Sequence, residues 1–326
     1  MADKQTLSLS RRNLLRGLGV SAAGLAIGSI LNSSPPILAQ VSSASATLAT
    51  FYRFNLGLFE VTVVSDGVTS VPVGQIAANA VPEELTTLLI ANNLDTETTR
   101  FQLNIVLVNT GDRLVLIDTG DLTGFAGPAT GKLVPTLNAL GIAPEDINDV
   151  IISHWHWDHM GGMTTNGQPT FPNAQYHFSQ IDYDFVKSNA VPEPLLDFAQ
   201  VSLAQLAPIE AVDGLLTFYG NEDEVVSGIQ AVHTPGHSPG HYSFLIESEG
   251  EQLLLVVDAI LHPQVSVQQP QWFGFIEDPI VSVETRQSLM TRLADEQIPM
   301  LAYHFPFPGI GYIARVSDGF RYIASQ

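Results

Sequence analysis

The 326-residue chain is 45% hydrophobic and 14% charged, which suffices for one large domain or two small ones with a substantial core. Its 33 acidic residues against 13 basic ones leave little surface to neutralise phosphates, arguing against nucleic acid and anionic membranes as partners. The absence of cysteine excludes disulfides, thiolate metal sites and cysteine nucleophiles.

The first segment reads as an address. Arg11 and Arg12 precede a soft apolar stretch from Gly17 to Leu31, too short at 15 residues for a membrane span of roughly 20. The order S-R-R-x-L-L resembles a twin-arginine export signal, with cleavage expected after Ala39 or at the A-x-A of Ala44 to Ala46. Residues 1–39 are therefore assigned to the signal, 40–54 to a flexible lead-in and 55–326 to a single domain. The expected location is the periplasm or an equivalent extracytoplasmic space, with no stable membrane span after cleavage. Without residues 1–39 the chain keeps 9 basic and 32 acidic residues, a formal charge of −23.

The next segment is rich in strands. "LFEVTVVSDGVTSVPV" alternates around Asp66-Gly67 and predicts a hairpin there. "FQLNIVLVNTGDRLVLIDTG" predicts two strands around a Gly111-Asp112 turn. Leu133, Val134, Leu137 and Leu140 fall at helical spacing, predicting a helix over 131–140. "NDVIIS" is a buried strand. Further strands are expected at 174–178, 223–226, 229–233, 242–247 and 252–257. A helix over 282–296, the strand "PMLAYH" and a terminal pair, "GYIARVS" and "FRYIAS", close the chain. Two β-rich halves with helices suggest two sheets covered by helices.

Chemistry concentrates where strands end. The chain has nine histidines, and His154, His156 and His159 lie with Asp158 in six positions after "NDVIIS". Residues two apart in an extended segment point the same way, so His154 and His156 can converge on one ion. Gly161 and Gly162 are expected to let the backbone turn tightly behind them. Imidazole and carboxylate donors bind zinc at about 2.0–2.2 Å, and four of them can serve one ion or two adjacent ones. Later donors sit at other strand ends: His233, His237 and His241 in "HTPGHSPGH", Asp258 after "LLLVV", and His304 in "LAYHFPFPGIG". His233 and His177 read as structural, His241 as structural or as support for a ligand loop, and His262 as structural or facing the pocket.

The H-x-H-x-D-H pattern, followed in order by "TPGHSPGH", Asp258 and His304, resembles the signature of the metallo-β-lactamase superfamily. Asp118 in "LIDTG" matches a further landmark, and the resemblance spans roughly residues 55–326. The C-terminal stretch from "VVDAILHP" onward resembles the methyl parathion hydrolase branch, which includes lactone hydrolases. The resemblance implies an α/β (α+β) fold, a four-layer αββα sandwich, with a dinuclear centre. His154, His156 and His237 would hold one ion, Asp158, His159 and His304 the other, and Asp258 would bridge them. Zinc is expected, with manganese, iron or cobalt as alternatives. Asp118 is read as backing a ligand, and Asp158 and Asp258 as the acids of catalysis. Val257 departs from the family, which usually has glycine before the bridging Asp. Trp155 and Trp157 are expected to pack around the site.

The implied reaction is hydrolysis, with a water shared by the two ions as nucleophile. The few basic residues point to a neutral, partly apolar small molecule: a lactone or carboxylic ester first, a phosphotriester second. A non-catalytic binding protein of the same fold is the alternative from another class. Leu261, Trp272 and Phe273 are expected to line the pocket with His262 and Phe305, joined by Phe275 and Phe307. Leu261 stands where quorum-sensing lactonases often carry Tyr, which argues against that subtype. A homodimer is left open.

Overall fold

A computed structural model describes residues 50–188 and 190–325. The proposed signal, 1–39, and most of the lead-in lie outside the described residues. The lead-in boundary moves: a strand begins at Phe51, inside the stretch 40–54. Among the described residues, no helix is long and apolar enough to cross a membrane.

β1 (Phe51–Leu56) and β2 (Phe59–Pro72) pair antiparallel through a turn at Gly57-Leu58. The hairpin expected at Asp66-Gly67 is not there. β2 runs 14 residues without a break, and Asp66 forms a bulge between Ser65 and Gly67 where it pairs with β3 (Thr98–Asn109). The physical reason lies far away in the chain. The Asp66 carboxylate turns inward and accepts the backbone N–H groups of Asp121, Gly131 and Leu133 at 2.7–3.1 Å. A Cβ on Gly67 would lie 2.1 Å from the Ala129 carbonyl, so glycine lets the 129–131 loop pack onto the bulge.

Between β2 and β3 lies α1 (Pro82–Ala91). The chain continues through β4 (Leu114–Ile117), α2 (Leu133–Ala139), β5 (Asp149–Ile151) and α3 (Trp157–Met160). A small hairpin, β6 (Thr164–Thr165) and β7 (Gln168–Pro169), precedes β8 (Gln175–Ser179), α4 (Gln180–Lys187), α5 (Leu196–Glu210) and β9 (Leu216–Tyr219). β10 (Glu224–Val226), β11 (Ile229–His233), β12 (Tyr242–Ser248) and β13 (Glu251–Val257) follow. α6 (Val265–Gln268), α7 (Val281–Glu296), β14 (Met300–Ala302), β15 (Ile310–Val316) and β16 (Gly319–Ala324) complete the chain.

Two seven-stranded mixed sheets result, ordered β1-β2-β3-β4-β5-β8-β9 and β10-β11-β12-β13-β14-β15-β16. They face each other across the main core, and helices cover the outer faces. β13 shows why: Leu253, Leu255 and Val257 join the core between the sheets, while Leu254 and Val256 pack with Leu289, Met290 and Leu293 of α7. A strand buried on both faces reads as an unbroken apolar run. β4, β5 and β8 run parallel in the first sheet, and β13 and β14 in the second. Chemistry-bearing loops therefore leave one edge of the sandwich from both sheets.

Candidate metal centre

Seven buried side chains meet at that edge. The 154–159 segment follows β5, but it is not a strand: His154 sits in a bend, and His156, with an extended backbone, is the N-cap of α3. α3 carries Asp158 and His159 on its single turn. His237 comes from the loop after β11, Asp258 directly follows β13, and His304 lies just past β14.

Their donor atoms form three groups, each with atoms within 4.8 Å of one another: His154, His156 and His237; His154, His159 and Asp258; and Asp158, His159 and His304. His154 Nε2 is 2.9 Å from His156 Nδ1, which is 3.0 Å from His237 Nε2. Asp258 Oδ2 stands between the two halves, 3.1 Å from His237 Nε2, 3.0 Å from His304 Nε2 and 3.4 Å from His159 Nε2. Asp158 Oδ2 lies 3.5 Å from His304 Nε2 and 3.8 Å from His159 Nε2. Two donors about 2.1 Å from one ion at tetrahedral angles are roughly 3.4 Å apart, so this spacing suits shared cations.

The polar bookkeeping points the same way. His159 Nε2 and Asp258 Oδ1 are buried without a hydrogen-bond partner, which costs free energy unless something else satisfies them. Burial and the neighbouring imidazoles hold His154 and His156 well below the usual histidine range, leaving neutral rings with free lone pairs. Burial alone would lower His237 too, but Asp258 and Glu277 outweigh it and lift it to about 9. The carboxylates thus make this half of the pocket seek a cation. The residues present fit two divalent ions. His154, His156 and His237 would hold one, Asp158, His159 and His304 the other, with Asp258 between.

Other side chains aim these donors. Asp118, at a left-handed φ of 64°, accepts Ser153 N–H at 2.8 Å and His159 Nδ1–H at 2.9 Å, turning His159 Nε2 inward. Ser153 Oγ reaches both Asp118 and His154 Nδ1. Tyr303 Oη donates to the Asp158 carbonyl, and His304 Nδ1 donates to the Gln102 carbonyl. His241 Nε2 accepts the Asp258 N–H at 3.1 Å. His233 meets the Pro239 carbonyl, and His177 pairs with Asp149 and Thr217 away from the centre. Val257 adopts a φ of 48°, a conformation that β-branched residues rarely accept and that costs about 1–3 kcal/mol. Glycine would bear that angle freely, which gives Val257 its physical meaning as a departure.

Gly161 and Gly162 serve differently from the expectation. Gly161 has an ordinary helical φ of −63°. The need is space, since a Cβ on Gly162 would lie 2.2 Å from the Thr119 carbonyl of the neighbouring loop. Gly162→Ala is expected to destabilise the protein by about 1–3 kcal/mol through overpacking, read as a lowered urea midpoint. An unchanged midpoint would show that the Asp118–Thr119 loop yields freely.

A cavity of about 320 Å³ opens onto five of the seven donors, His156, Asp158, His237, Asp258 and His304, and is walled by Phe101, Phe198 and Leu261. Trp157 lines it as well, and buried Trp155 borders the larger neighbouring cavity, so both tryptophans pack around the site as expected and each also forms part of a cavity wall. A second, larger cavity of about 560 Å³, with Phe185, Pro192 and Leu195 in its walls, shares His156, His237, Phe275 and Ile276 with the first. Four expected pocket aromatics lie elsewhere, among them Phe307, which is half-buried against the main core. Trp272 packs with Leu85, Leu88 and Val265, and Phe305 packs in the core under α7, against Tyr322. Phe273 lines neither cavity; its backbone binds Ala78 and Asn79. His262 faces a separate space of about 250 Å³ beside His304. Its Nδ1 accepts the N–H groups of Gln264 and Val265, and burial pushes it down to about 4.

Residues 98–267 match the family model of the metallo-beta-lactamase superfamily. The chain belongs to that superfamily. The N-acyl homoserine lactonase of Bacillus cereus is 34% identical over 131 residues, 39% of this chain and 44% of that one. The lactonase AttM of Agrobacterium fabrum is 27% identical over 181 residues, 53% of this chain and 64% of that one. The chain thus matches less than two thirds of the length of these curated relatives. Among solved structures, AidC, a dizinc quorum-quenching lactonase, superposes with a TM-score of 0.79 at 29% identity, covering 85% of this chain and 97% of AidC. The hydrolase AbOPH gives 0.80 at 26%, covering 86% and 98%. The superfamily sandwich is the expected four-layer αββα arrangement. Lactonases stand among the relatives even though Leu261 argued against that subtype.

Proposed function

We propose that the chain is a dinuclear, zinc-dependent hydrolase of neutral lactones and carboxylic esters, N-acyl homoserine lactones included. One observation carries the substrate charge: apart from the donors themselves, the cavity over the centre contains no charged side chain. Beyond the ions themselves the walls would give an anionic substrate no counter-charge, whereas a neutral ester loses little on entering. Two bound divalent ions would lower the pKa of a water between them toward about 7 and polarise the carbonyl oxygen. The protein's part is placement and proton handling. Phe101, Phe198, Leu261 and Ile276 exclude bulk water and hold the apolar limb. Asp158 faces the cavity, placed to take up the proton that the attacking water gives up and to pass it to the departing alkoxide.

A phosphotriester is the second reading, because it too is neutral and suits the same uncharged walls. The test is a panel of N-acyl homoserine lactones, simple lactones, aryl esters and phosphotriesters, assayed on protein whose zinc content has been measured. Lactone turnover at least tenfold above the other classes in kcat/KM, with two zinc ions per chain, is expected. Preference for phosphotriesters selects the second reading, and fewer than two ions per chain overturns both.

A further inference from the structure

Asp182, on the first turn of α4, is fully buried and far in sequence from every donor of the centre. Its carboxylate can only accept hydrogen bonds, and three donors converge on it. Oδ2 receives the Trp155 N–H at 3.1 Å and the Ser238 hydroxyl at 2.6 Å, and Oδ1 receives the Gly240 N–H at 2.6 Å. Trp155 lies between His154 and His156, and Ser238 directly follows His237. One carboxylate therefore ties together the two loops that supply the first three donors. The approach is tight: a Cβ on Gly240 would stand 2.5 Å from Asp182 N and Ser179 Oγ. Ser179 Oγ in turn accepts the Asp182 N–H and fixes the start of α4. The second set of donors is held by other groups: Asp118 on His159, Tyr303 on the Asp158 backbone and the Gln102 carbonyl on His304.

We propose that Asp182 is a positioning residue that sets the His154–His156–His237 cation position and leaves the Asp158–His159–His304 position alone. An asparagine has the same shape but one acceptor oxygen, so an N–H₂ must face either Gly240 N–H or the Trp155–Ser238 pair. The two loops then lose their common anchor, and support of this kind is typically worth 10–100-fold in metal affinity.

The inference rests on the two-ion reading, which zinc analysis of the unaltered protein checks independently. Zinc affinity is measured by chelator competition for Asp182→Asn in two backgrounds, each lacking one donor of one set. In His304→Ala, the remaining ion is expected to bind 10–100-fold more weakly once Asp182 is changed. In His154→Ala, the same change is expected to move affinity less than twofold. Ser238→Ala in the His304→Ala background removes a single bond and is expected to weaken binding severalfold, which keeps the test readable if Asp182→Asn does not fold. Urea unfolding of the metal-free proteins reports general loss of stability. Equal weakening in both backgrounds, or none in either, overturns the proposal, while two zinc ions in the unaltered protein would leave the two-ion reading standing.

Discussion

Asp258→Asn is expected to reduce ester and lactone hydrolysis by roughly 10³-fold and to leave fewer than two zinc ions per chain. Asp258 Oδ2 is the atom both halves share, within 3.4 Å of His159, His237 and His304. Asparagine keeps the outline and removes the charge. Metal-assisted polarisation contributes several kcal/mol of transition-state stabilisation, and each 1.36 kcal/mol is tenfold in rate, which sets that magnitude. Kinetics and elemental analysis on the same preparation decide the matter. A variant that keeps two ions and more than a tenth of the rate would remove Asp258 from the bridging role.

The second large effect is on stability. Arg286 of α7 is buried and donates to both oxygens of Glu277 at 2.8 and 2.7 Å, to the Ala259 carbonyl at 3.0 Å and to the Trp272 carbonyl at 2.7 Å. It thereby joins the residue after Asp258 to the 270–278 loop that walls the cavities. Glu277 Oε1 lies 3.6 Å from His237 Nδ1, too long for a hydrogen bond but close enough for attraction. Removing Arg286 strands a buried carboxylate, so Arg286→Met is expected to cost about 3–5 kcal/mol. At roughly 2–4 °C per kcal/mol for a domain of this size, the melting temperature falls by about 10 °C. Adding Glu277→Gln should recover part of the loss, because the stranded charge is gone. A fall under about 2 °C, or no recovery in the double variant, would show that the pair is energetically idle.

Acid should expose the same pair. Burial alone would raise Glu277, but Arg286 and His237 outweigh it and bring it down to about 2 from an ordinary 4.5. A depressed carboxylate stabilises the fold above the unfolded value, so its contribution is complete above about pH 4.5. It disappears as pH falls toward 2.

The donors were readable because they are local: a strand end followed by four donors in six positions needs no tertiary information. Asp258 and His304 were readable because each terminates a doubly buried apolar run. α1 carried its own signals, Pro82 at the helix start with Glu83 and Glu84 behind it, yet the sequence reading left residues 80–97 unassigned. α4 and α5 were missed as well. Asp66-Gly67 misled because a turn dipeptide says nothing of a loop more than 50 residues on that claims its carboxylate. Which aromatic of the 270–278 loop faces the cavity is set by Arg286 pulling on the Trp272 carbonyl, a long-range contact with no periodic trace. Asp182 left no sign for the same reason, since all three of its donors come from other segments.

Each donor set draws on both sheets. His154, His156, Asp158 and His159 belong to the first, and His237, Asp258 and His304 to the second. Prying the sandwich open therefore dismantles both positions at once, and closing it is inseparable from cation capture. Free zinc at a thousand times the dissociation constant would add about 4 kcal/mol per position to the work of unfolding. The resistance of this chain to heat and proteolysis should consequently track the zinc supply around it.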